Sequence, residues 1–216
     1  RKSPIQHAYF QCRRFRSMMC GNASRCIGKY VYDKRLTDKK TLHWNTIGIK
    51  ELQLTTRKLS GSREEVTEVT VDMGCPVVGE ALEIEAGGYF YTGTVVSMGN
   101  PHLVIFVEDI ANINLPAIGP LLECHPLFPN RTNVEFVQIL NMDEVRMKVW
   151  EEPGITQACG TGACATAVAG VIRRKTGRKT KVVMDGGPLT IRWDESSGHV
   201  YMTGGAVKVF EGELEI

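Results

Sequence analysis

Two cysteines stand in matching settings, Met19-Cys20-Gly21-Asn22 and Ala158-Cys159-Gly160-Thr161-Gly162, and each precedes a run suited to a helix. A thiol at a helix N-terminus is poised for proton chemistry. The unpaired first-turn N–H groups and the helix dipole favour the thiolate, and such placement lowers a cysteine pKa from about 8.5. One thiol of this kind could be a nucleophile or a redox centre. Two, far apart in sequence but equivalent in context, predict two halves facing one another across a cleft. Inverting a carbon that bears an acidic hydrogen needs a base to remove the proton and an acid to return it on the opposite face. A thiolate and a thiol supply both roles without a cofactor. The same helix termini offer N–H groups to a carboxylate as carbanion charge builds.

Rival readings of these residues are weaker. Cys26 and Cys164 follow the two thiols by six and five positions, which places them on other helix faces. They are expected in the core, as are Cys75 and Cys124. A zinc site would need both cysteines of a pair to converge from along a helix, whereas the usual Cys-x(2–4)-Cys knuckle is a loop; no metal is expected. Gly160 to Ala165 also fits G-x-G-x-x-A, with Asp185 after a short apolar strand. That fingerprint should follow its strand directly, and here a loop intervenes. A thiol redox pair is the remaining rival, and it requires the two Cα atoms within about 7 Å.

The elements that must position the thiols read as follows. Residues 25–33 continue helically from Cys20, and a second, alanine-rich helix runs from about Gly160 to Lys175. Residues 52–54 and 68–72 alternate as strands, and Asp72-Met73-Gly74 with Pro76 is a turn. Strands are expected at 89–97 and 103–107, joined by the polar loop Met98-Gly99-Asn100-Pro101-His102. A hairpin covers 135–140 and 145–150, and 151–158 is a loop. Short strands follow at 182–184, 189–193, 200–203 and 207–211. The result is a mixed α/β chain with two marked helices. The polar stretch at 59–62 is a candidate domain boundary, and the two Cys-Gly sites are consistent with an internal duplication.

The 216 residues suffice for one large domain or two small ones. A net charge of +2 gives no electrostatic case for nucleic acid or an acidic membrane surface. The basic stretch 173–181 reads as a solvated helix end. No run of about 18 apolar residues exists to span a bilayer, and no signal peptide is apparent. Seven cysteines without regular spacing argue for reduced thiols in a cytosol. The chain begins at Arg1 without a methionine, so its natural start is expected to lie upstream.

The motifs together resemble the diaminopimelate epimerase family. The matching residues are Met19-Cys20-Gly21-Asn22 with Arg25-Cys26, Gly99-Asn100-Pro101-His102, His125-Pro126-Leu127-Phe128-Pro129 and Arg131-Thr132-Asn133-Val134-Glu135-Phe136. The run from Ala158 to Ala165 and the closing segment from Met202 to Gly212 also fit. Proline racemases and phenazine-type isomerases, looser relatives, differ around the first cysteine. The resemblance implies an α/β fold of two pseudo-twofold-related domains, each a mixed sheet wrapped around a central helix. The implied division is 1–60, 61–204, and a segment 205–216 returning to the first domain. It implies interconversion of LL- and meso-diaminopimelate without pyridoxal phosphate, for lysine and peptidoglycan synthesis, in a cytoplasmic protein that commonly pairs as a homodimer. Carried over by position, Cys20 and Cys159 are the acid/base pair, and His102 and Glu151 flank and tune them. Gly21, Asn22, Gly160 and Thr161 hold a carboxylate, Asn100 and Asn133 orient polar groups, and Glu151 and Glu152 complete the substrate pocket.

The chain departs from the family pattern in places. About fifty family residues at the N-terminus have no counterpart. Residues 9–17, Tyr-Phe-Gln-Cys-Arg-Arg-Phe-Arg-Ser, stand where the family has Phe-Asn-Ala-Asp-Gly-Ser-Glu. Synonymous codons for this stretch, read one base later, give Ile-Phe-Asn-Ala-Asp-Gly-Ser-Glu-Ala. We therefore expect residues 1–17 to be an out-of-frame reading, which an in-frame gene sequence incompatible with that shift would overturn. Residues 42–48 replace a longer family segment. Trp150-Glu151-Glu152-Pro153-Gly154 replaces Glu-Arg-Gly-x-Gly and is one residue short, so Glu152 occupies the place of a carboxylate-gripping arginine. A charge-assisted bidentate contact becomes a repulsion. These departures predict unpaired sheet edges and impaired turnover. The alternatives to an active epimerase are a non-catalytic remnant, or a racemase or isomerase of the same fold.

Overall fold

The computed structural model describes residues 20–45, 49–58, 64–151 and 154–212. Their strands are β1 (Thr41–Asn45), β2 (Ile49–Lys58), β3 (Glu64–Gly74), β4 (Val77–Ala86), β5 (Tyr89–Ser97), β6 (Pro101–Val107), β7 (Asn133–Asn141), β8 (Glu144–Glu151), β9 (Gly154–Thr156), β10 (Lys179–Met184), β11 (Gly187–Trp193) and β12 (Val200–Gly204). Three helices join them: α1 (Gly21–Asp33), α2 (Leu115–Glu123) and α3 (Gly160–Ile172). The strands form one sheet in the order β1-β2-β3-β12-β11-β10-β8-β7-β6-β5-β4, with β9 paired to β8. Only the β6–β7 and β8–β10 pairs are parallel, so the sheet is mixed.

Parallel neighbours require a crossover, and the two crossovers bring the helices in. The connection from β6 to β7 carries α2 over one face, where Leu115, Ile118 and Leu122 pack on Leu103, Ile105, Val134 and Phe136. The connection from β8 to β10 carries α3 along the opposite face, against Val104, Val137, Met147, Val149 and Val182. Every residue of α3 from Gly162 to Gly170 is buried. A helix that is small and apolar all round is one that a sheet can enclose, and its alanines favour the helix intrinsically.

The helices α1 and α3 are built alike. Each has 13 residues and a cysteine N-cap, Cys20 at φ −127°, ψ 103° and Cys159 at φ −126°, ψ 110°. Each closes on an arginine in the left-handed region, Arg35 at φ 57° and Arg174 at φ 56°. In each, the next amide reaches back into the last turn: Leu36 N to Val31 O at 2.9 Å, and Lys175 N to Gly170 O at 2.8 Å. α1 packs on β2 and β3, where Leu54 and Val69 crowd Gly28.

Several expectations need correction. The second Cys-Gly helix ends at Ile172, three residues short of Lys175, because Arg174 takes the left-handed conformation. A third helix, α2, exists despite Pro116 and Pro120; Pro116 sits in the first turn, where its missing N–H costs nothing. β4 is a strand beyond those expected, and residues 154–156 of the expected loop pair with β8 as β9. Pro101 and His102 belong to β6 rather than to the preceding loop. Residues 207–211 are not a strand, since among the described residues none offers them a ladder; Val207 and Phe210 instead flank a groove of ≈ 590 Å³ beside α1. The stretch 59–62 lies outside the described residues, and the flanking β2 and β3 are hydrogen-bonded neighbours. Of the four cysteines expected in the core, only Cys164 is buried; Cys26, Cys75 and Cys124 are exposed.

Burial pushes the Cys164 thiol up to about 12. The unfolded chain releases this proton near pH 8.5, whereas the folded chain keeps it, so Cys164 withdraws stability as pH rises from about 9 toward 12. Wild type should therefore lose about 1.9 kcal/mol relative to Cys164→Ala between pH 8 and pH 10. Urea midpoints under reducing conditions check this. An unchanged difference between the two proteins would contradict it.

Candidate active site

Strand alternation decides which side chains meet the start of α3. Val104, Val137 and Val149 face α3 from β6, β7 and β8. Two residues away along each strand, on the same face, lie His102, Glu135 and Glu151. Register aligns them, with His102 opposite Asn133 and Glu135 opposite Val149. The ends of three interior strands thus deliver three ionisable groups to the first turn of α3, where Cys159 caps the helix.

His102 and Glu135 are both 0% exposed. Their Nδ1 and Oε1 atoms lie 2.7 Å apart. Cys159 is also buried, and its sulfur accepts the Gly162 N–H at 3.3 Å and sits 3.5 Å from Thr161 Oγ1. The Thr161 hydroxyl in turn accepts from Asn100 Nδ2 at 3.3 Å. Glu151 pairs with the Cys159 thiol, and burial raises its carboxyl above the ordinary value. Burial raises the Cys159 thiol well above its ordinary value, and the charges of Glu151 and Glu135 add to this. The helix terminus was expected to lower the thiol. Here desolvation and two carboxylates outweigh the first-turn N–H groups, so Cys159 rests as a thiol.

The second thiol has the same local geometry. Cys20 is half-buried, and its sulfur accepts the Ala23 N–H at 3.4 Å. Met202 of β12 lies under both first turns. A Cβ on Gly21 would clash with its Cε, and one on Gly160 would lie 3.0 Å from its Sδ. The same position on Gly160 is 3.4 Å from Asn22 Oδ1, so the two helix N-termini approach one another. Arg25 locks this junction. It donates to Asn22 Oδ1 at 2.9 Å and to Gly205 O at 3.3 Å. The backbone bonds begin with Ser24 N to Cys20 O and Ala163 N to Cys159 O. The amides of Gly21, Asn22, Gly160 and Thr161 precede them in each helix and remain available to an anion.

The structure brings together Cys20, Gly21, Asn22, Gly160 and Thr161 at the paired helix termini, with Asn100, His102, Glu151 and Cys159 beside them. Asn133 stands at the rim, donating to Pro101 O at 3.1 Å. Glu152 lies outside the described residues. Sequence reasoning missed Glu135, Arg25 and Met202 as site residues. The available signals were a carboxylate inside the apolar run Val134 to Val137, and an arginine one helical turn after Asn22.

Comparison with solved structures identifies the fold. The backbone is similar to a probable proline racemase from Agrobacterium radiobacter, with TM-score 0.68 and 17% identity over 94% of this chain and 71% of that one. It is also similar to a PhzF-family phenazine biosynthesis protein from Bacillus anthracis, with TM-score 0.70 and 14% identity over 94% and 78% of the two chains. At these identities the likeness shows the fold alone. In sequence, residues 94–209 match the family model of diaminopimelate epimerase. The diaminopimelate epimerase of Parabacteroides distasonis is 71% identical over 203 residues, 93% of this chain and 74% of that protein. The one from Methanococcus maripaludis is 46% identical over 233 residues, covering 99% and 82%. The chain belongs to the diaminopimelate epimerase family, a family of isomerases.

Proposed function

We propose that this chain interconverts LL- and meso-diaminopimelate by direct proton transfer between two cysteines, without pyridoxal phosphate. The observation that carries this reading is the pair of matched cysteine N-caps on facing helix termini, one of them beside buried His102 and Glu151. A thiolate takes the α-hydrogen, forming an S–H bond as the C–H pair passes to the α-carbon. The opposite thiol returns a proton to the other face and becomes the thiolate. The two sulfurs end with exchanged protonation states and no net redox change. Cys159, which holds its proton at rest, is assigned the acid of the resting enzyme.

The amides of Gly21, Asn22, Gly160 and Thr161 would hold the α-carboxylate, where the helix dipoles oppose the charge of the carbanion. Asn100 and Asn133 would orient the amino and distal groups. His102 and Glu151 would tune the thiols. Lysine and peptidoglycan supply follows from the family, as do pairing as a homodimer and the division at residues 60 and 204. The six described cysteines are free thiols, which suits a reducing cytoplasm. In the described residues, no helix is long and apolar enough to cross a membrane.

Conversion of LL- to meso-diaminopimelate, followed by chiral chromatography with reductant and without cofactor, tests the proposal. Conversion insensitive to carbonyl reagents is expected, since no Schiff base is involved. No conversion at any substrate concentration would favour a second reading, a remnant that keeps the scaffold but not the grip. The Glu152 substitution is what favours that alternative.

A further inference from the structure

His102 and Glu135 are a costly pair to keep. Both are fully buried, yet among the described residues His102 Nε2 and Glu135 Oε2 have no partner. Buried polar groups are nearly always satisfied, and their neighbours Val96, Val104, Val137 and Val149 show that this face readily takes apolar residues. Packing also makes room for the carboxylate. A Cβ on Gly162 would lie 2.6 Å from Glu135 Oε1, so a glycine in the first turn of α3 lets the carboxylate rest against the helix that carries Cys159. The ionisable groups coupled to the pair are Glu151 from β8 and Cys159 at the N-cap of α3.

We propose that Glu135 is a positioning residue: it accepts the Nδ1–H of His102 in a buried hydrogen bond and so leaves Nε2 as a free base of the site. Which ring nitrogen carries the proton is set by the bond the other nitrogen makes, and a carboxylate at 2.7 Å from Nδ1 settles that choice. The unpartnered Nε2 is then left as a hydrogen-bond acceptor. Glu135 has a second effect through the same geometry. Its charge joins that of Glu151 in keeping the proton on Cys159.

The kinetic part of this assignment rests on the epimerase reading, whereas the tautomer does not. Nitrogen-15 NMR of histidine-labelled wild type, with His102 assigned by its loss in His102→Asn, should show Nδ1 protonated and Nε2 bare at neutral pH. Glu135→Gln keeps the volume but presents an amide that can donate to Nδ1. It should shift the proton to Nε2 and lower kcat roughly 10- to 100-fold, with KM changed less than about threefold. A wild-type His102 protonated at Nε2 would overturn the proposal, even if the variant failed to fold. So would a Glu135→Gln protein that keeps both tautomer and kcat. If wild type shows the expected tautomer but no conversion, the epimerase reading fails and the Glu135–His102 assignment stands.

Discussion

Cys159→Ser and Cys20→Ser are each expected to lower LL-to-meso conversion by about 10³-fold or more, in the upper range of what one general acid or base contributes. Serine is chosen because the site tells stability and chemistry apart. Each sulfur caps its helix by accepting a first-turn N–H, from Gly162 at 3.3 Å and from Ala23 at 3.4 Å. A serine oxygen caps at least as well, so the fold should survive in both variants with unfolding midpoints close to wild type. What is lost is a proton carrier that can exist as an anion. Because the mechanism uses the thiols in series, the double variant should be no worse than either single one. Additive losses would indicate two independent sites. Full activity in either single variant would remove that thiol from the reaction.

Glu152→Arg is expected to raise kcat/KM by roughly 10- to 100-fold, mostly through KM. A charge-assisted hydrogen bond contributes about 1.5–3 kcal/mol, and the change also removes a repulsion against the substrate carboxylate. The position matters because the family resemblance places there an arginine that grips the substrate carboxylate. Steady-state kinetics on both proteins measure the effect. An unchanged KM would mean that the residue by which segment 150–154 falls short of the family pattern, rather than the charge, accounts for the loss.

The parts of the site legible in the sequence were those with local causes. A Cys-Gly before a run of helix formers announces a capped helix, and both caps were found where the pattern put them. The hairpin of β7 and β8 is legible because β8 alternates and the short link Met142-Asp143 joins it to β7. What could not be read depends on pairing over distance. Glu135 looks like one polar residue in an apolar run until the parallel β6–β7 register sets it against His102. That register depends on the α2 crossover, and two prolines hide α2 from periodicity. The Cys159 thiol was misjudged for the same reason, since the helix terminus is local and the opposing carboxylates are not. The stretch 207–211 shows the converse error: alternation is necessary for a strand, but a neighbour must be there to complete it.

The most direct test of the two-thiol account is deuterium entry at the α-carbon of LL-diaminopimelate in deuterated water, with reductant present and pyridoxal phosphate absent. The account predicts exchange by the wild-type chain that disappears in both Cys20→Ser and Cys159→Ser. Exchange that survives the loss of both sulfurs, or none from a folded protein at saturating substrate, would contradict it.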